Sequence, residues 1–365
     1  MAKEFQPFSA THDKLFPQRL TELRCSLVLS TYKAGKLIIL SMIDGQVTQL
    51  PRTFEKPMGM ALSGDRMAVA TREEVIVLAN STALAPNYPK APGRYDSLWT
   101  PRAVYFNGET DTHDMAFSDD GLLSVNTRFS CLALVDDNFS FRPVWKPPFV
   151  TDLQSEDRCH LNGMALKEGK ARYVTLLGKS DTPKGWRTQK HGGGLLMDIT
   201  TDEVVTGGLS MPHSPRVIDG VLYVCNSGQG EILVIDEESG AASTLAKLPG
   251  FLRGMSSIGD YLVVGMSLLR DTRSFGGLPI EESDEALMCG VSFVHKKTGD
   301  IAGTFRYLST VEELYDVHVL PGQQRPGILG TGDNAHRDAL ALPDQGYWAQ
   351  RDRPEEPQQN QAGWT

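Results

Sequence analysis

Three histidines in this chain, His113, His160 and His213, are spaced so that metal or proton chemistry could use them. Neutral imidazole is the commonest metal ligand and the side chain whose charge changes nearest neutral pH. His113 and His213 open two of six similar short segments. The segments are Met58-Gly-Met-Ala-Leu62, His113-Asp-Met-Ala-Phe117, Asn162-Gly-Met-Ala-Leu166, His213-Ser-Pro-Arg-Val217, Arg253-Gly-Met-Ser-Ser257 and Tyr315-Asp-Val-His-Val319. If each is an inner strand of one ring, their first residues meet around an axis. That column reads Met58, His113, Asn162, His213, Arg253, Tyr315. His160 lies two residues before Asn162, and on an extended chain the two face the same way. His113, His160 and His213, with an amide or water beside them, suit a divalent transition metal (Zn, Fe or Mn). Calcium prefers a carboxylate-rich oxygen cage. The spacing is not a compact signature such as HExxH. The alternative is that the imidazoles bond only to backbone or water.

Arg253 is the fixed cation of the column, and its planar fork suits a substrate carboxylate or phosphate. A buried ion pair with Glu312, Glu313 or Asp316 is the competing role. Asn162 is a candidate for positioning water or substrate. Asp114 joins the catalytic candidates, although on a strand it points away from the side His113 takes. Tyr315 and Trp186 join Arg253 as substrate-binding candidates. His318 has the opposite parity to the column, which predicts packing between blades. Arg216 is expected to pair with a neighbouring acid, and Asn126 and Asn226 to lock turns. Gly192-Gly-Gly194 is not a phosphate loop, because no Lys-Ser/Thr follows. Ser214 has no GxSxG around it, so it is no nucleophile elbow.

Strands must position these residues. Starts at 58, 113, 162, 213, 253 and 315 give a repeat of roughly 40–60 residues, the period of propeller blades with inserted loops. Residues 213–249 show the grammar most clearly: Pro215-Arg-Val-Ile218, Gly220-Val-Leu-Tyr-Val-Cys225, Glu231-Ile-Leu-Val-Ile235 and Ala242-Ser-Thr-Leu-Ala246 are separated by turn residues. Residues 26–54 supply three strands before the first copy, and little follows the last copy. One blade shared between the termini would close the ring and pair its open edges. The expectation is an all-β, six-bladed β-propeller over residues 25–342, with an N-terminal segment at 1–24 and a disordered tail at 343–365. Three stretches break the rhythm: residues 85–110, 178–193 (with Trp186) and 267–288 (with Arg270, Arg273 and Phe275). They are read as lids over one face.

Composition narrows the function. The chain has 365 residues and a net charge of -9, with no basic stripe, which argues against a nucleic-acid partner. The longest apolar runs fall far short of a membrane span. No apolar leader is evident at the start of the chain, so a cytoplasmic location is expected. Five cysteines with no CxxC read as buried thiols in a reducing compartment.

Several longer stretches carry a resemblance. They are Ser26-Leu-Val-Leu-Ser-Thr-Tyr-Lys-Ala-Gly-Lys36, Val125-Asn-Thr-Arg-Phe-Ser-Cys131, Asp157-Arg-Cys-His-Leu-Asn-Gly163, Leu209-Ser-Met-Pro-His-Ser-Pro-Arg216 and Leu248-Pro-Gly-Phe-Leu-Arg-Gly254. Over about residues 20–332 the chain resembles a bacterial family of uncharacterised propeller proteins, which brings no assigned reaction. More distantly it is similar to the gluconolactonase/regucalcin, strictosidine-synthase and streptogramin-lyase propellers. In the lactonase group an Asn-Gly inner strand supplies a metal ligand, and Asn162-Gly163 matches it. The acidic ligands of that group have no counterparts here, so a calcium lactonase does not follow.

The expectation is a metal-dependent hydrolase or lyase acting on a small anionic organic substrate at the channel mouth. A non-haem iron oxygenase is the second enzyme reading, and a non-catalytic ligand- or protein-binding propeller is the third. The oligomeric state is left open.

Overall fold

The computed structural model describes residues 6–269, 276–282 and 285–349. Six antiparallel sheets of four core strands each form a six-bladed β-propeller. The inner strands are Asp316–Pro321, Met60–Ser63, Thr112–Ser118, Leu161–Lys167, Pro212–Ile218 and Phe251–Ile258, taken as blades one to six. Blade one pairs the C-terminal Asp316–Pro321 with the N-terminal Cys25–Thr31, so the ring closes by the expected sharing of termini.

Local chemistry explains the hairpins. Asp44-Gly45, Glu168-Gly169 and Asp219-Gly220 each place two consecutive residues at positive φ. That is the two-residue turn whose twist matches the flanking strands. Apolar side chains then fill the space between neighbouring blades. Blades three and four, for example, bury Leu123, Val125, Leu161, Met164 and Val174 together. Hydroxyls at the ends of second strands bond across to the next blade. Ser30 Oγ donates to Met58 O at 2.6 Å, Thr127 Oγ to Leu161 O at 2.5 Å, Ser227 Oγ to Leu252 O at 2.7 Å and Ser267 Oγ to Leu314 O at 2.9 Å. In blades one, two, four and six these bonds help fix where the inner strand begins, and therefore where its column residue sits.

Two outer edges are covered. Ala10–His12 pairs with Ile301–Tyr307, and Pro326–Ile328 runs parallel to Ser97–Phe106. The N-terminal helix Leu15–Glu22 buries Phe16 and Leu20 against blades six and one. Two expectations change here. Within residues 85–110, Ser97–Phe106 is the fourth strand of blade two, because its register against Glu74–Asn80 is continuous apart from one bulge. Tyr88 and Tyr95 pack with Leu84, Leu98 and Leu329 away from the channel mouth, so this stretch is not a lid. The C-terminal segment is ordered further than expected: Ala339–Ala341 pairs with Gly346–Trp348, and Trp348 Nε1 donates to Leu84 O. The rest of that tail, and Arg270, Arg273 and Phe275, lie outside the described residues.

The axis itself is filled by charge. Arg216 reaches across the ring from blade five to Asp114 of blade three in a bidentate pair, at 2.7 and 3.0 Å. Asp114 also accepts the backbone N–H of Met115 at 2.9 Å and of Met164 in blade four at 3.0 Å. Burial pushes the Asp114 pKa up, while the Arg216 guanidinium and the Met164 N–H favour the charged carboxylate and oppose that rise. Asp316 repeats the device in blade one: it accepts Met60 N–H from blade two and lies 3.3 Å from His318 Nε2. Burial opposes the Asp316 charge, yet His318, Arg216 and the Met60 N–H outweigh it and hold its pKa below the ordinary value. His318 thus packs between blades as expected, and Arg216 finds its acid.

Replacing Arg216 by Met should destabilise the protein by about 3–5 kcal/mol, because it leaves buried carboxylate charge uncompensated. Urea denaturation measures this, and Asp114→Asn added to Arg216→Met should recover part of the loss.

Candidate functional site

Above the Arg216–Asp114 pair the channel opens into a cavity of about 330 Å³. Its walls include Tyr32, His113, His160, Trp186, Arg253 and Tyr315. Two backbone features aim the histidines. In blades two to five the residue two before the column position has positive φ: Lys56, Asp111, His160 and Met211. In blades three and five the carbonyl of that residue turns back to a column imidazole. Asp111 O lies 2.8 Å from His113 Nδ1, and Met211 O lies 2.8 Å from His213 Nδ1. A carbonyl can only accept, so each Nδ1 carries the proton and each Nε2 keeps its lone pair.

In blade four the histidine occupies the left-handed position itself. The expectation that His160 and Asn162 face one way on an extended chain is therefore wrong at the backbone level, because His160 has φ 51°. The side chain reaches the cavity nonetheless. Its ring stands nearly perpendicular to His113 with centroids 4.7 Å apart, and 4.5 Å from Trp186. His160 Nδ1 lies 2.9 Å from Asp157 Oδ1, and Trp186 Nε1 donates to Asp157 Oδ2 at 2.9 Å. The Asp157 carboxylate thus fixes the imidazole and the indole together. Asp157 also has positive φ, so both ends of this short turn hold a conformation that non-glycine residues seldom adopt. No sequence signal singled out Asp157, since its partners are set by the turn and by the loop carrying Trp186.

Arg253 lies against Tyr315, with the guanidinium 4.7 Å from the ring centroid, and its Nη2 is 3.4 Å from His213 Nε2. Asn162 is buried with both polar atoms engaged: Nδ2 donates to Pro212 O and Oδ1 accepts from Thr175 Oγ. It binds blade four to blade five instead of facing the cavity. Asp114 lies below the mouth in the axial pair. Of the residues expected at the site, His113, His160, Arg253, Tyr315 and Trp186 share the cavity, while His213 meets Arg253 beneath it. The loop 178–193 covers one side of the mouth through Lys184, Trp186 and Arg187.

The three histidines offer Nε2 in the manner of metal ligands whose Nδ1 is tied to an oxygen. They do not close on one centre. Among the described residues no group of three or more His, Cys, Asp and Glu is arranged to hold a metal ion. The Arg253 guanidinium lies where His213 would meet one. The five cysteines are buried, and burial pushes the Cys131, Cys159 and Cys225 thiols up to about 12.

A family model described as a domain of unknown function, DUF4915, matches residues 14–329. The chain belongs to this family. No curated protein matches it. Among solved structures it is similar to a chain of a nidogen/laminin complex, at 10% identity and TM-score 0.51, covering 82% of this chain and 99% of that one. A protein of unknown function from Bacteroides caccae is similar at 9% identity and TM-score 0.48, over 81% of this chain and 98% of that one. The nidogen/laminin likeness concerns the fold alone. No helix among the described residues is long and apolar enough to cross a membrane.

Burial lowers the pKa of His113 well below 6.5, and the nearby His160 and Arg253 add to this. Burial and then Arg253 do the same for His213. Both imidazoles are therefore neutral in the folded protein at pH 7. As pH falls through 6.5, the unfolded chain takes up protons that the folded protein does not, and stability declines until the folded pKa values are reached. Urea midpoints should fall between about pH 7 and pH 5, and the double variant His113→Gln/His213→Gln should flatten that slope. An unchanged slope would assign the acid sensitivity to other groups.

Proposed function

We propose that the channel mouth binds a small anionic organic substrate and performs acid–base chemistry on it, as a hydrolase or lyase. The observation that carries this reading is the Asp157–His160 couple on the wall of a cavity that also presents Arg253. With Nδ1–H held by Asp157, His160 keeps a basic Nε2, and the carboxylate stabilises the imidazolium formed when that atom takes a proton. Arg253 holds the substrate's acid group through its planar fork and favours negative charge developing beside it. His113, neutral and edge-on to His160, limits how far the ring can turn.

In this reading His160 removes a proton either from an attacking water or from a carbon next to the bound carboxylate. The imidazolium then returns the proton to the leaving group. No step passes through a metal, because the three histidines do not converge while Arg253 stands at His213.

The test is a screen of esters, lactones and carboxylic acids bearing a leaving group at the β-carbon, on protein purified without a His tag and analysed for metals. His160→Gln should lower turnover by about 10²–10⁴-fold on whichever substrate responds. Arg253→Gln should weaken substrate binding as well. Full activity in His160→Gln would overturn the assignment. Turnover that requires one Zn, Fe or Mn per chain would replace it with the histidine–metal reading, and oxygen consumption with iron would mark an oxygenase. Absence of any anion binding would leave a non-catalytic binding propeller.

A further inference from the structure

The rim of the same cavity carries a second group of cations. Lys184 and Arg187 line it from the loop 178–193, opposite in character to the aromatic wall below them. Both are exposed, and neither has an ion-pair partner among the described residues. Two of the nearby carboxylates are already committed. Glu156 pairs with Arg158 at 2.8 Å, and Asp157 is held by His160 and Trp186. Arg128, also on the rim, is 3.0 Å from Glu109. Asp111, on the wall of blade three, is the carboxylate facing the cavity that opposes these cations.

The loop is held in place. Lys184 N–H donates to Glu156 O at 3.0 Å, Asp181 accepts from Thr151 at 2.8 and 3.0 Å, and Arg158 reaches Asp181 at 2.7 Å. Trp186 is buried against Leu177, Met211, Phe251, Leu278 and Ile280. The cations are therefore presented by a seated loop, which lowers the ordering cost of binding. Lys184 itself has φ 51°, in the left-handed region.

We infer that the substrate carries two acid groups, one met by Arg253 and the other by Lys184 and Arg187. The second group is a carboxylate or a phosphate, since both suit exposed cations. The inference rests on the proposed anion site at Arg253 and deepens it.

Calorimetric titration of the full chain with glutarate and valerate tests it, because the two differ by one carboxylate at equal carbon number. At low salt glutarate should bind about tenfold more tightly than valerate. Salt at about 0.2 M should narrow that gap, because the rim cations are exposed and screened. The double variant Lys184→Gln/Arg187→Gln should bring glutarate to the valerate level and leave valerate unchanged. Arg253→Gln should weaken both ligands. A third titration, with 4-phosphonobutyrate, distinguishes a phosphate from a carboxylate as the second group, by whichever binds more tightly. Equal affinity for glutarate and valerate in the unsubstituted protein, or a glutarate advantage that survives the double variant, would overturn the inference and leave the Arg253 site standing. Failure of all three ligands to bind would overturn the Arg253 site with it.

Discussion

The Asp114–Arg216 pair decides what kind of channel this propeller has. Six inner strands converge on an axis too narrow for water to solvate every polar group, so charges there must be paired across the ring. Arg216 spans from blade five to blade three, and the carboxylate it meets also accepts an N–H from blade four. Such a pair adds little net stability over an apolar filling, but losing one partner is costly. Its consequence here is geometric. The axis is blocked below the column, and the space above becomes a cup with Arg253 and the histidines around it.

Within that cup the chemistry depends on tautomers fixed by oxygen partners. Left-handed residues two positions before the column turn their carbonyls onto His113 and His213, and Asp157 takes the same role for His160. The positive φ at Asp157 and His160 is local strain at the point where the wall meets the covering loop. Strain of this kind persists where surrounding contacts over-determine the backbone. The indole of Trp186 supplies one such contact by holding the other oxygen of Asp157.

Much of the architecture was legible in the sequence because propeller blades repeat. The alignment of Met58, His113, Asn162, His213, Arg253 and Tyr315 identifies the inner strands, and turn pairs such as Asp219-Gly220 mark the hairpins. The sequence misleads where one residue leaves the extended conformation. His160 and Asn162 look equivalent at a spacing of two, yet one enters the cavity and the other ties blades together. Asp114 looks like a catalytic candidate beside His113, but Arg216 claims its carboxylate in a buried bidentate pair. The stretch 85–110 reads as a loop because prolines crowd its beginning, although Ser97–Phe106 is long enough to complete blade two. Asp157 gave no sequence signal, because its partners come from a turn and from a loop nearly thirty residues on.

The proposed acid–base chemistry requires that His160 present its Nε2 lone pair to the cavity while Asp157 holds the Nδ1 proton. Long-range proton–nitrogen NMR of the ring nitrogens, at a pH where the imidazole is neutral, tests it directly. The Nδ1–H tautomer is expected for His160 in the unsubstituted protein, with its loss or mixing in Asp157→Asn. A neutral His160 protonated at Nε2, or a tautomer indifferent to Asp157, would contradict it.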